Sequence, residues 1–253
     1  MSRVNMSRVK TVSVLCIGLM LIFSCVAIRS AEAIPALQLY IEGSTYDTAT
    51  ETWVTSSPTF KLWVIGDVGH YGDIYDVKLS AAYSAGEAGG TITITPTTTS
   101  LVTDISTPAA VSTNSTGNDG QPLLGNGSKL PTHGIYDTQS YIDGGGTPTV
   151  FWNEYALGNF DLRDSPIGDF IDAYPTSFPD MGQINVYDVT VTGFTWLHFD
   201  AYDHIVLNNN HLKYKFAPFS HDGETKVPEP GTALLLGTGL LGLVMLGRKK
   251  KIS

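Results

Sequence analysis

The sequence predicts an all-β protein, an antiparallel β-sandwich of the jelly-roll or immunoglobulin-like kind. Apolar and polar residues alternate with a period of two in eight segments of the body, and stretches rich in Gly, Pro and Asn separate these segments. A helical period is nearly absent from the body, since the only helix candidate, Ile167–Tyr174, covers barely two turns. An N-terminal signal helix and a C-terminal transmembrane helix are expected to flank the sandwich.

Residues 1–33 are predicted to be a secretory signal peptide. Three cations precede an almost unbroken apolar run, residues 11–27, and small residues follow it. An uncleaved membrane anchor is the alternative, although the apolar run is short for a spanning helix. The residues that define the expected cut are Ala31, Ala33 and Ile34.

Residues 34–226 are predicted to form the exported sandwich domain. In the third segment, Val77, Leu79 and Ala81 should face the core, with Asp76, Lys78 and Ser80 on the other face. The predicted strands, in order, are Leu37–Glu42, Phe60–Ile65, Ile74–Tyr83, Thr91–Thr95, Thr149–Tyr155, Ile184–Thr192, Phe194–Tyr202 and Leu212–Phe216.

A Ser/Thr-rich loop region is expected near residues 96–134. Between Thr91 and Thr116, fourteen of 26 residues are Ser or Thr, and the irregular composition continues to His133. The alternatives are an O-glycosylated stretch and a boundary between two small subdomains.

Residues 227–253 are predicted to be a sorting segment. Residues 232–247 are apolar apart from Gly and two Thr, which indicates a transmembrane helix, and the cations after it should stay on the cytoplasmic side. The GxGxxG spacing at 237–242 is a coincidence of this Gly-rich run, because no strand precedes it and no acidic residue follows. The residues expected to form the signal are Val227, Pro228, Glu229, Pro230, Gly231, Arg248, Lys249, Lys250 and Lys251.

This order of Val-Pro-Glu-Pro, apolar helix and basic terminus resembles the PEP-CTERM sorting signal of Gram-negative bacteria. The resemblance implies recognition by exosortase, an integral-membrane enzyme that cleaves near Pro-Glu-Pro and passes the protein toward the surface. It implies signal peptidase and exosortase as processing partners, with transient attachment to the inner membrane.

In the body, Ala36–Gly43, Tyr46-Asp47 and Thr50–Val54 are similar to the exported choice-of-anchor proteins, in particular their N group. That family has no activity to carry over.

The body is strongly acidic and free of thiols. Seven cations against 22 acids give it a net charge of −15, whereas the whole chain has −9, and Cys16 and Cys25 both lie in the signal peptide. Such a surface disfavours nucleic acid as a partner. Without cysteine, the exported part has no disulfide or thiolate metal site.

The segment Phe194–Tyr202 is the most suggestive for binding. With Leu197, Phe199 and Ala201 toward the core, the alternate residues would form an outward row in which aromatic rings bracket a His and an Asp. Such a row could bind a glycan; in the reverse phase its aromatic residues would be core. The candidate glycan-binding residues are Trp196, His198, Asp200 and Tyr202.

No catalytic motif and no metal site are predicted. His198 and Asp200 could offer a metal two ligands at most, with Asp203 and His204 as neighbours on the same strand. Glu154, set among aromatic residues, is the one acid considered for glycan hydrolysis. Calcium is left open as a ligand of two acidic loops, which contain Asp67, Asp73 and Asp76, and Asp161, Asp164, Asp169 and Asp172.

These observations predict a non-enzymatic, cofactor-free protein that is exported through the inner membrane. We expect it at the cell surface or outside the cell, with a structural or adhesive role in a biofilm and exopolysaccharide as a partner. A carbohydrate-binding module is the alternative, and a secreted glycan hydrolase is the third hypothesis.

Overall fold

The computed structural model describes residues 34–102, 105, 111–118, 120–171, 174–175, 177–218, 221–227, 238 and 240–241. The predicted signal peptide and nearly all of the predicted sorting segment lie outside these residues. Within the described part, no helix is long and apolar enough to cross a membrane.

Strands dominate the described residues, and the described part of the body has two short α-helices, α1 (Val68–Tyr71) and α2 (Gln139–Asp143). The all-β prediction is therefore confirmed. The strands are β1 (Leu37–Ile41), β2 (Thr45–Asp47), β3 (Thr52–Thr55), β4 (Thr59–Gly66), β5 (Ile74–Ser84), β6 (Thr91–Thr97), β7 (Ser112–Gly117), β8 (Val150–Phe160), β9 (Ser165–Ile167), β10 (Asp180–Thr192), β11 (Trp196–Val206), β12 (Leu212–Phe216) and β13 (Asp222–Lys226).

The strands form two sheets. The smaller sheet has the order β1-β4-β10-β6, with β9 also paired to β10. The larger sheet has the order β2-β3-β13-β11-β5-β8-β7, with β12 also paired to β11. Neighbours run antiparallel except β3 and β13, which are parallel. The last strand of the described residues, β13, therefore lies inside the larger sheet, between β3 and β11.

One apolar cluster takes side chains from both sheets, which is a sandwich-like arrangement. The smaller sheet contributes residues such as Leu39 and Leu62, and the larger contributes Leu79 and Phe199, all fully buried. On β5 the phase is as predicted, because alternate residues point into this core. Each large apolar side chain buried here contributes about 1.5–3 kcal/mol before the entropy cost.

The prediction of a helix over Ile167–Tyr174 is wrong for the residues of this range that the structure describes. Ile167 ends β9, and the chain that follows has no helical hydrogen bonds through residue 171. The buried amide of Gln38 explains this conformation. Its Nε2 donates to Gly168 O at 2.8 Å and its Oε1 accepts from Phe170 N at 3.0 Å, so these backbone groups are satisfied without a helix.

The predicted Ser/Thr-rich loop contains regular structure. Its Ser112–Gly117 stretch is strand β7, paired with β8 at one edge of the larger sheet. Residues 120–137, here called the cover segment, then pack on the face of that sheet opposite the shared core. Leu124, Leu130 and Tyr136 of the cover segment form a second apolar cluster with side chains of the sheet, namely Ala82, Trp152 and Tyr202.

Candidate functional site

The alternation of β11 places polar side chains beneath the cover segment. Leu197, Phe199 and Ala201 enter the shared core. Because successive side chains of a strand point to opposite faces, His198 and Asp200 lie on the other face. Apolar residues of the cover segment exclude water there, so both side chains are buried.

Strand β13 brings two carboxylates to the same face. A Cβ on Gly223 would lie 3.3 Å from Ile41 Cδ1, so this position faces the shared core and its neighbours Asp222 and Glu224 face the other way. The register pairs His198 with Glu224. It next pairs Phe199 with Gly223, and one residue farther it sets Asp200 opposite Asp222.

The cover segment supplies the fourth member, His133. Its Nε2 lies 2.8 Å from Asp200 Oδ1 and its Nδ1 lies 3.8 Å from Asp222 Oδ2. One donor atom from each of four side chains falls within 4.8 Å of all the others. We call these side chains the His/Asp cluster: His133, His198, Asp200 and Asp222.

Two members of the His/Asp cluster have polar atoms without hydrogen bonds. Among the described residues, no atom is placed to hydrogen-bond either ring nitrogen of His198 or either carboxylate oxygen of Asp222. His198 Nε2 is 3.6 Å from Asp222 Oδ2 and 3.7 Å from Asp200 Oδ1, beyond hydrogen-bonding distance. Since a buried polar group without a partner costs about 1–3 kcal/mol, this geometry suits a further ligand.

The charged groups of the His/Asp cluster strongly affect one another's pKa values. Burial by itself lowers the pKa of His198, but the carboxylates of Asp200, Asp222 and Glu224 raise that pKa well above its usual value. Burial and the charge of Asp200 raise the pKa of Asp222 to about 7. Burial would also raise the pKa of Asp200, yet His198 and His133 hold it below the usual range. The charge state of each buried carboxylate therefore depends on its neighbours in the cluster.

Two separate groups of polar contacts lie beside the cluster on the same face of the larger sheet. Tyr136 of the cover segment donates to Asp200 Oδ2 at 2.5 Å, and its hydroxyl oxygen lies 2.8 Å from Ser80 Oγ. Farther along, Tyr202 donates to Glu154 Oε2 at 2.5 Å, and Lys78 Nζ lies 3.6 Å from Glu154 Oε1. These bonds fix the buried polar groups.

A pocket of about 390 Å³ opens beside the cluster. It is lined by His133, His198 and Glu224, together with residues 49–52 and Ile135. Both imidazoles of the cluster therefore border this pocket.

The predicted glycan-binding row is not open along its length. His198, Asp200 and Tyr202 are buried, because the cover segment lies over them, and only Trp196 is partly exposed. The Trp196 ring stacks on His198 with centroids 6.4 Å apart. The expected outward exposure of three of the four residues is therefore wrong, while glycan binding itself stays a prediction.

The acidic loops considered for calcium are engaged in other contacts. Asp67 accepts a backbone hydrogen bond at the start of α1. Asp73 pairs with Arg163 at 3.3 Å, and Asp169 Oδ1 lies 2.7 Å from His221 Nε2. Calcium binding in these loops stays a prediction, and Asp172 lies outside the described residues.

Sequence reasoning missed half of the cluster. His133 lies in the predicted loop, and β13 reads Asp-Gly-Glu-Thr-Lys with no apolar side chain to mark a strand. A usable signal existed in Asp222 and Glu224, which flank a glycine at the spacing that places both carboxylates on one face.

Comparison with known proteins finds the PEP-CTERM protein-sorting motif at residues 226–250. This match contains the tail residues expected from the sequence, with Lys251 one position beyond it. No curated protein and no solved structure matches the chain. The resemblance of the body to choice-of-anchor proteins is not supported. The chain carries a PEP-CTERM sorting motif, which implies export and processing by exosortase.

Proposed function

We propose that the chain is an exported, exosortase-processed β-sandwich with a structural or adhesive role at the cell surface or in the extracellular matrix of a biofilm. The observation that carries this proposal is the position of the sorting motif. It begins at residue 226, the residue at which β13 ends.

This junction suits removal of the tail. Val227 N donates to Thr195 O at 3.0 Å, so the backbone of the folded body is hydrogen-bonded up to the residue directly before Pro228. A cut near 228–230 would detach the apolar tail and leave every described strand paired. The body would then be released, or transferred to another molecule, in folded form.

Two further features support a non-enzymatic role. The considered acid, Glu154, is buried beneath the cover segment and held by Tyr202. The net charge of −15 keeps the exported body soluble and suits cationic partners or exopolysaccharide bridged by divalent ions. During export, the chain would interact with signal peptidase, with exosortase and with the inner membrane.

Cell fractionation of the native host tests the route. We expect the wild-type chain outside the inner membrane without its tail, whereas Glu229→Ala should accumulate in the membrane fraction with the tail attached. The matched control is Glu51→Ala, an exposed acid of the body, which should be exported as wild type. Full-length protein in the cytoplasm, with an intact tail, would contradict the proposal.

A deletion strain tests the role. Loss of the chain should reduce biofilm or floc mass and increase the exopolysaccharide washed into the medium, and re-expression of the wild type should restore both. An unchanged biofilm in the deletion strain, with export of the wild-type chain confirmed, would refute the matrix role.

Carbohydrate binding is the second candidate, and the partly exposed ring of Trp196 is the observation that favours it. Stacking on this ring would hold a sugar at the edge of the pocket beside His198. Binding on a glycan array should be lost in Trp196→Ala. Binding that is unchanged in this variant would remove the basis of this candidate.

A further inference from the structure

We propose that the His/Asp cluster binds one divalent transition-metal ion of the zinc class, and that this ion fastens the cover segment to the larger sheet. The four ligands would be His133 from the cover segment, His198 and Asp200 from β11, and Asp222 from β13. The inference does not depend on the proposed role in a biofilm.

The spacing of the donor atoms fits tetrahedral coordination. Zinc bonds of 2.0–2.1 Å at tetrahedral angles place ligand atoms about 3.3 Å apart. The distances from Asp200 Oδ1 are 2.8 Å to His133 Nε2 and 3.7 Å to His198 Nε2. The distance from His198 Nε2 to Asp222 Oδ2 is 3.6 Å. These three values bracket the required one, and all four donor atoms lie within 4.8 Å of one another, so an ion would draw the wider pairs together.

The atoms without hydrogen bonds are the ones that a metal would take. His198 is 2% exposed and Asp222 is fully buried, and neither side chain makes a hydrogen bond within the described part of the chain. An ion between them would satisfy His198 Nε2 and an Asp222 oxygen together. Their burial without hydrogen bonds is an observation independent of the clustering of the four residues.

Charge and donor chemistry both favour a zinc-class ion. Lys226 Nζ lies 2.8 Å from Glu224 Oε1 and balances that carboxylate. The two remaining carboxylates, of Asp200 and Asp222, would then balance one divalent cation bound with two neutral imidazoles. Calcium and magnesium prefer shells of oxygen, whereas a shell with two imidazole nitrogens suits zinc.

The surroundings resemble a structural rather than a catalytic metal site. Four protein ligands close a tetrahedral shell, and catalytic sites leave one position open. The hydroxyl of Tyr136 donates to Asp200 Oδ2 and so orients this ligand from outside the shell. The ion would tie together three parts of the chain in a body that has no cysteine for a disulfide.

Metal content of the full chain tests the site. The full-length protein, produced in a host without exosortase and purified in detergent, should contain one zinc ion per chain by elemental mass spectrometry. Zinc titration against a chromophoric chelator should show this site lost in His198→Gln and Asp222→Asn. The matched control is His204→Gln, which breaks another His–Asp pair on β11, at Asp203, and should bind zinc as wild type.

Cobalt(II) and a milder variant keep the test decisive if a ligand variant misfolds. Cobalt loading of the wild type should give the intense visible bands of four-coordinate nitrogen and oxygen ligation. Tyr136→Phe keeps all four ligands, and we expect its zinc affinity to fall about 10- to 100-fold. Failure of zinc and cobalt to bind the folded wild type, or zinc binding unchanged in folded His198→Gln and Asp222→Asn, would overturn the proposal. Calcium binding with no zinc binding would overturn it as well.

Discussion

His133 Nε2 lies 2.8 Å from Asp200 Oδ1, although the two residues are 67 positions apart in the chain. Both side chains are almost completely buried. The contact joins the C-terminal part of the cover segment to the centre of β11, so the cover segment is part of the packed structure. The stability of the fold and the geometry of the buried cluster should therefore respond to the same substitutions.

Tyr136→Phe should destabilise the protein by about 1.5–3 kcal/mol, because it removes a buried hydrogen bond to a carboxylate. Urea denaturation followed by circular dichroism measures this change. The matched control is Tyr141→Phe, an exposed tyrosine whose hydroxyl donates to Thr147 O, and it should change stability by less than about 0.5 kcal/mol. Equal losses of unfolding free energy in the two variants would show that the buried hydrogen bond of Tyr136 adds no more stability than the exposed one of Tyr141.

Leu79→Ala should cost about 2.7–5 kcal/mol, because it leaves a cavity in the apolar core that the two sheets share. Leu212→Ala makes the same change at an exposed position of β12 and should lie within about 0.5 kcal/mol of wild type. Thermal unfolding of both variants measures the difference. A small loss for Leu79→Ala would show that the sheets do not pack through this residue.

Asp137 should contribute stability that disappears in acid. Burial tends to raise its pKa, but bonds donated by Thr149 Oγ1, Thr149 N and Val150 N lower that pKa below its usual value. A carboxyl whose pKa is lower in the folded state stabilises the fold above its unfolded pKa of about 3.9, and the contribution is lost as the pH falls through the folded value.

Unfolding of wild type and Asp137→Asn from pH 7 to pH 2 measures this dependence. The wild type should be more stable near neutrality, and the difference should shrink below about pH 4. A difference that stays constant to pH 2, or that grows in acid, would contradict the role of the charged carboxylate.

Strand β13 should mark the limit of the folded body. A chain from Ile34 to Val227 keeps all described strand pairs and should unfold as cooperatively as the body of the full protein. A chain that ends at His221 lacks the strand between β3 and β11, and we expect it to lose cooperative unfolding. Retained cooperative unfolding in the shorter chain would show that β13 is dispensable.

The sequence predicts the apolar strands well, because their alternation follows directly from burial on one face. It cannot predict β13, whose burial depends on neighbouring strands and not on its own side chains. It also misses β7, because residues rich in Ser and Thr are equally typical of loops. The pairing of β13 with β3 joins residues about 170 positions apart, which no local pattern specifies.

The candidate site was accessible to sequence reasoning only in part. The alternation of side chains along β11 predicts that His198 and Asp200 lie on the same face of the sheet. From this strand alone, a metal ion would have at most these two ligands. Asp222 reaches them through the register of β13, and His133 through the packing of the cover segment. Both depend on tertiary contacts, so the sequence alone could not assemble a four-residue cluster.

The intact mass of the protein recovered outside the inner membrane of its native host tests the central claim most directly. Export and exosortase processing predict a chain that begins at Ile34 and ends within about 227–231, without the apolar tail and its cations. A chain that retains residues 232–253 in that fraction, or one found only in the cytoplasm with its signal peptide attached, would contradict the account.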